Sequence, residues 1–397
     1  MQVLQIVPSI SLIYGGPSQM VLGLSPALAR QGVEVTILTT NSNGDSGQQP
    51  LDVPLNTPIK QDGYQIIYFR CAPFRRYKFS FDLLKWLNRH AREFNLAHIH
   101  ALFSPVSTFA ATVCRRQNLP YILRPLGTLD PADLQKKKHL KQLYAAILER
   151  PNLASAAAVH FTSLQEAKVS ERFGVSTRDL VIPLGVNPMK KAGGVGTEEV
   201  RRQLGIPENI PLVLFMSRID PKKGLNLLLP ALEALLAEGL NFHFVLAGTN
   251  PQEPEYEEKI KSQVKTSPLR SHTTITGFVT GELKSALLQA ADIFVLPSYY
   301  ENFGIAVAEA MAAGTPVVIS DQVHICQEVR ESESGWVGTL DVLDLTNLLR
   351  IALQNPTERH RRGLRAQDYA LKNYSWDAIA TQTIQAYNQI LCHLDVR

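Results

Sequence analysis

Short apolar runs bounded by turn residues recur along the whole chain, each followed by a stretch with helical hydrophobic spacing. No other feature restricts the fold as much. In the first half the runs fall at residues 3–7, 33–38, 65–69, 97–100, 121–123 and 158–162, and in the second half at 212–216, 242–247, 273–276, 293–296 and 317–320. Nearly continuous apolar strands that alternate with helices belong to parallel sheets covered on both faces. The reading is an α/β protein with two doubly wound parallel sheets in series. Its length of 397 residues suits two or three domains of ordinary size.

Strand and helix patterns both fail at residues 182–188 and in the Gly-rich stretch 192–196. The expected domains are therefore 1–188 and 189–375, followed by a terminal helix, 376–397. That helix opens after Ser375, a suitable N-cap, and carries Ile379, Ile384, Tyr387, Ile390 and Leu391 at helical spacing. The segment 41–62, rich in Asn, Gly, Gln and Pro, has little to bury and reads as a mobile loop.

Composition excludes several classes of function. A formal net charge of +4 with 19% charged residues gives no argument for nucleic acid. Cys71, Cys114, Cys326 and Cys392 are scattered without metal-ligand spacing, so neither zinc nor a disulfide framework is expected, and a reducing compartment is. The N-terminus lacks a basic region ahead of its short apolar run, and no later run approaches the roughly 18 apolar residues of a membrane span. A cytoplasmic protein is expected, with peripheral contact at the inner membrane face left open.

The chemistry concentrates in a few motifs. Glu301 and Glu309 stand eight residues apart in Glu301-Asn302-Phe303-Gly304-Ile305-Ala306-Val307-Ala308-Glu309, a loop-to-helix junction whose helix Gly314 and Pro316 stop. On a continuous helix this spacing spans about 12 Å. Both carboxylates can then face one ligand while amides near Gly304 point at an anion. A nucleotide-sugar, with hydroxyls at both ends and phosphates between, fits. Directly after the 212–216 run come Ser217-Arg218-Ile219-Asp220-Pro221-Lys222-Lys223-Gly224. The carboxyl edge of a parallel sheet is where such proteins bind ligands, and there a guanidinium fork beside a lysine suits a diphosphate. An ordinary charged surface turn is the competing reading. Gly15 and Gly16 sit between the first strand and the first helix, where glycine lets backbone approach a phosphate. His98 and His100 alternate at a strand end and so share one face.

The segment from Phe303-Gly304 to Gly314-Thr315-Pro316-Val317-Val318 resembles the donor-site signature of retaining glycosyltransferases of family 4, which have the two-domain GT-B fold. The resemblance spans nearly the whole chain and implies two Rossmann-like domains with an interdomain cleft. It implies that Glu309 receives the ribose hydroxyls, that Glu301 orients the sugar, and that Asn302, Phe303, Gly304 and Ile305 border the donor. Arg218 and Lys223 match the family's Arg-x4-Lys-Gly pattern, stabilising the leaving diphosphate. By the same likeness Gly15 and Gly16 cover the diphosphate, and His100 approaches the donor sugar. Gly248 with Phe278 or Val279 then borders the nucleoside, and the terminal helix crosses back onto the first domain.

Arg124-Pro125-Leu126-Gly127-Thr128-Leu129-Asp130-Pro131 resembles a segment that borders the acceptor cleft in members acting on polysaccharide or glycolipid precursors. Beyond it, Lys136, Lys137, Lys138 and Lys141 form either a solvated helix face or a contact for anionic lipid. The chain has no Asp-x-Asp motif, so a metal-independent reaction without cofactor is expected. The donor is expected to be a UDP- or GDP-sugar and the acceptor a glycan, a lipid-linked sugar or a small sugar, with exopolysaccharide or lipopolysaccharide synthesis as the setting. A sugar-nucleotide epimerase, a sucrose-phosphate-synthase-like transferase and a non-catalytic nucleotide-sugar-binding scaffold are the alternatives.

Overall fold

A computed structural model describes residues 1–14, 16–44, 48–72, 78–134, 143–187, 196–207 and 209–394. Contacts divide the chain into two compact units, Met1–Gly185 with Trp376–Arg397, and Val186–Ser375.

The first unit is built on an eight-stranded sheet. Its strands are β1 (Gln2–Ser9), β2 (Glu34–Thr40), β3 (Pro58–Gln61), β4 (Tyr64–Phe69), β5 (Leu96–His100), β6 (Tyr121–Arg124), β7 (Ala158–Phe161) and β8 (Asp179–Val181). They lie in the order β3-β4-β2-β1-β5-β6-β7-β8. All pairs are parallel except β3 with β4. Strand alternation sends Val3 and Val7 to one face and Leu4 and Ile6 to the other, and a separate apolar core covers each. The helices Gly16–Arg30 and Trp376–Leu394 pack against each other on the Val3 face, where Ile379, Tyr387 and Ile390 are buried. Leu83 and Leu87 of the helix Phe81–His90 and Ala110 of the helix Pro105–Arg116 fill the opposite core.

The second unit carries a six-stranded, wholly parallel sheet: β9 (Leu212–Met216), β10 (His243–Ala247), β11 (Thr273–Gly277), β12 (Ile293–Leu296), β13 (Val317–Ser320) and β14 (Gly335–Gly338). The order is β11-β10-β9-β12-β13-β14. Strands β9, β10, β12 and β13 are buried throughout, consistent with helices on both faces.

Three strands differ from the sequence reading. β3 lies inside the stretch expected to be a loop; Pro58–Gln61 folds back antiparallel on β4 through the left-handed turn at Asp62 and Gly63. It is an edge strand whose residues are mostly exposed, so it lacks the apolar signature of its neighbours. β8 and β14 also close sheet edges. β8 is three residues long, and β14 is bounded by glycines, one of which, Gly335, packs against the carbonyl of Val317 too closely to accept a side chain.

Candidate active site

In the second sheet the strand order reverses between β9 and β12, and the loops that leave their carboxyl ends lie side by side. The loop after β9 folds into a 3-10 turn, Pro221–Lys223, capped by the Asp220 carboxylate, which accepts from the Lys222 amide at 2.9 Å. The Lys222 carbonyl in turn accepts from the Tyr299 amide at 2.8 Å, tying this loop to the one after β12. Gly224 makes the approach possible: its φ is 73°, and a Cβ there would lie 1.9 Å from the Pro297 carbonyl oxygen. Gly248, at the end of β10, is required for the same reason, since a Cβ would stand 1.8 Å from the Ser217 carbonyl oxygen.

This docking brings Lys223 onto Glu301 as a close ion pair with both side chains largely buried. The Glu301 backbone is fixed as well, donating to the Gln322 carbonyl at 3.2 Å and accepting from the His324 amide at 3.0 Å. Phe303 turns inward and packs edge-on against Tyr374, with centroids 5.4 Å apart, so only its backbone is left for a ligand. Gly304, with φ 81°, starts the helix Ile305–Ala312 without a side-chain cap. Its first-turn amides therefore have no capping side chain. Glu309 projects one turn further along and forms an ion pair of 2.6 Å with Lys284 of the helix Gly281–Ala290. Arg218 is exposed and makes no side-chain hydrogen bond or ion pair among the described residues. Just after β11 Phe278 stands 76% exposed, whereas Val279 is buried.

The second unit thus gathers Arg218, Lys223, Gly248, Phe278, Glu301, Gly304 and Glu309 along one sheet edge. Sequence reasoning missed Lys284, whose place in an ordinary amphipathic helix gives no local sign that it meets Glu309.

The first unit has a comparable edge where its order reverses between β1 and β5. A cavity of about 250 Å³ opens there, lined among others by Ser9, Tyr14, Ala101, Phe103, Ser104 and Leu126. Ala101, Phe103 and Leu126 all take positive φ, at 65°, 59° and 58°. Strained non-glycine backbone of this kind collects at functional sites. A larger cavity, of about 670 Å³, lies at the opposite, amino-terminal edge of the same sheet beside Gln2, Glu34 and Tyr64, away from the strand ends that hold these strained loops. Gly16 begins the helix Gly16–Arg30; Gly15 and Lys136, Lys137, Lys138 and Lys141 lie outside the described residues.

His100 is placed differently from the expectation that it approaches a sugar. It is fully buried and bonds through Nε2 to Gln5 Oε1 at 2.7 Å. The chain continues from Gln5 Nε2 to the Tyr387 hydroxyl at 3.0 Å, and from there to His98 Nδ1 at 2.8 Å. His98 Nε2 meets His160 Nδ1 at 3.2 Å, and His160 Nε2 meets the Ile182 carbonyl at 2.9 Å. A carbonyl only accepts, so His160 donates from Nε2 and accepts at Nδ1. Every proton back to His100 Nε2–H follows in turn if the rings are neutral. All three imidazoles are held well below their usual pKa, chiefly by burial and also by the buried Arg124 guanidinium. His100 Nδ1 is buried without a hydrogen-bond partner among the described residues.

Each unit matches its own family model. Residues 15–185 match the glycosyl transferase 4-like domain and residues 196–369 the glycosyl transferases group 1 domain. The chain belongs to the family 4 type of glycosyltransferases, enzymes with the GT-B fold. Among relatives, the D-inositol 3-phosphate glycosyltransferase of Xylanimonas cellulosilytica is 26% identical over 94% of this chain and 92% of its own length. An uncharacterized glycosyltransferase of Methanocaldococcus jannaschii is 32% identical, and the match spans 52% of this chain and 53% of that protein. Of solved structures, sucrose-phosphate synthase from Thermosynechococcus elongatus superposes with a TM-score of 0.74 at 24% identity, over 99% and 100% of the two chains. Anabaena HepE in complex with UDP-glucose gives 0.74 at 18% identity, over 98% and 100%. These likenesses carry the fold.

Proposed function

We propose that the protein is a retaining, metal-independent glycosyltransferase that moves a sugar from a UDP- or GDP-sugar to a glycan, a lipid-linked sugar or a small sugar acceptor. The observation that carries this reading is the union, at one sheet edge, of an unpaired Arg218, the Lys223–Glu301 pair, the uncapped helix start at Gly304 and Glu309. A nucleotide diphosphate needs cations and amides for its phosphates, a carboxylate for its ribose and a flat surface for its base. Phe278 supplies the last. The UDP-glucose held by the Anabaena protein of like fold agrees with such a donor.

In this reading Glu309 accepts from the ribose hydroxyls and Glu301 from the sugar. Arg218, Lys223 and the helix amides stabilise charge that grows on the departing phosphate, preorganised groups of the kind that dominate catalysis of such transfers. They can supply the positive charge that a metal would otherwise bring. Among the described residues no carboxylate stands out as a nucleophile, and front-face attack with the leaving phosphate taking the acceptor's proton is the retaining route these groups support. The acceptor is assigned to the strained cavity of the first unit. Among the described residues no helix is long and apolar enough to cross a membrane.

Incubation with a panel of UDP- and GDP-sugars, with released nucleoside diphosphate as the readout, tests the proposal. Turnover with one donor, lost in Glu301→Gln and Arg218→Ala, is the expected result. Absence of both nucleotide binding and turnover across the panel overturns it. The anomeric configuration of the product, read by NMR, tests retention separately.

A further inference from the structure

We infer that Lys284 is the positioning residue for Glu309, holding that carboxylate in place and cancelling its charge so that a diphosphate can approach. The inference rests on the proposed role of Glu309 toward the ribose. Lys284 lies in the first turn of the helix Gly281–Ala290, and Glu309 lies on a different helix, 25 positions along the chain. The two side chains are 27% and 15% exposed and meet at 2.6 Å through Nζ and Oε1. An ion pair this sheltered restricts the glutamate to one orientation, and no bond to the second carboxylate oxygen competes among the described residues. A ribose diol needs such an acceptor held still before it arrives.

Charge supplies the second reason. Glu301 and Glu309 would by themselves place two negative charges beside a ligand that brings at least two more. Lys223 offsets the first and Lys284 the second, which leaves the unpaired Arg218 and the helix amides as the net field that the phosphates meet. If Lys284 is removed, the carboxylate is both mobile and uncompensated. The donor then loses a positioned acceptor and meets an added repulsion. Nothing in this arrangement requires Lys284 to touch the donor.

The test is a double-mutant cycle on binding of UDP and GDP, each titrated by calorimetry, with Lys284→Met, Lys284→Arg, Glu309→Gln and the double variant. Lys284→Met is expected to weaken binding about tenfold, the scale of one charge-assisted hydrogen bond. Lys284→Arg should recover most of it. In the Glu309→Gln background Lys284→Met should have little further effect, because the charge it served is gone. In turnover assays the loss should fall on the donor KM with kcat nearly unchanged. Lys284→Leu serves as a second apolar replacement if the methionine variant folds poorly. Wild-type affinity in folded Lys284→Met, or an equal loss in both backgrounds, overturns the inference. The second result would mean that Lys284 contacts the donor itself. If Glu309→Gln binds as wild type does, or wild type binds neither nucleotide, the ribose assignment fails and takes this inference with it.

Discussion

Acid should destabilise the first unit as the pH falls below about 6.5, because of the three buried imidazoles. His98, His100 and His160 are neutral in the folded protein, their pKa values lowered chiefly by burial. In the unfolded chain each has a pKa of about 6.5. Where the folded value is depressed, the unfolded state binds more protons as the pH falls. Stability is therefore complete above about pH 6.5 and is lost below it. Between pH 7.5 and 5.5 each histidine that stays neutral in the folded protein costs on the order of 1 kcal/mol, and the three act in the same direction. His243 of the second unit, lowered to about 4 by burial and by His272 and Arg201, acts in the same direction on that unit. Glu149 acts in the opposite sense, since burial raises its pKa and its folded form gains protons first.

Tryptophan fluorescence separates the units, because Trp86 and Trp376 belong to the first and Trp336 to the second. In a Trp336→Phe background, urea unfolding at a series of pH values then follows the first unit. Comparison with His160→Gln, which keeps an N–H for the Ile182 carbonyl but cannot titrate, cancels Glu149 and all other shared groups. The variant should lose on the order of 1 kcal/mol less than its parent between pH 7.5 and 5.5. Equal losses would refute the argument, for they would mean that His160 takes up its proton as readily folded as unfolded.

Tyr387→Phe removes a hydroxyl that donates to His98 and accepts from Gln5, and should cost about 1–3 kcal/mol at neutral pH, measured by the same urea titration. Glu309→Ala should weaken donor binding about tenfold or more by calorimetry, whereas Arg218→Ala should lower kcat about a hundredfold with a smaller change in binding, because phosphate charge grows only as the bond breaks. Gly224→Ala must push the loop after β9 away from Pro297 and with it Lys223 from Glu301, so turnover should fall while the second unit loses about 1–3 kcal/mol, read by Trp336 fluorescence. Turnover should persist in EDTA; loss restored by magnesium or manganese would defeat the metal-independent reading.

Most strands that sequence located are largely buried, where burial writes a continuous apolar run, and the half-buried edge strand β11 was located with them. β9, β12 and β13 were read with the same bounds that the structure has. The edge strands β3, β8 and β14 were not, since an edge strand needs one neighbour only and its composition is free to be polar, short or glycine-bounded. The positive φ values at Ala101, Phe103 and Leu126 were equally invisible. Glycine advertises a left-handed turn, but alanine, phenylalanine and leucine are forced into one by the loops around them.

The relative placement of candidate residues on one continuous segment, Glu301 through Glu309, was legible because local spacing and the helix start fix it. Pairings between segments were not. That Lys223 meets Glu301 and Lys284 meets Glu309 depends on how four loops and helices converge at the end of a sheet. The glycines at 224 and 248, which let the loops after β9, β10 and β12 approach one another, are the one sign of it in the sequence. The surroundings of His100 were equally hidden from the sequence. Strand alternation correctly put His98 and His100 on one face, and that face is the one covered by the helix Trp376–Leu394, whose Tyr387 bonds to His98. The covering helix begins 276 positions further along the chain, beyond the reach of any local reading.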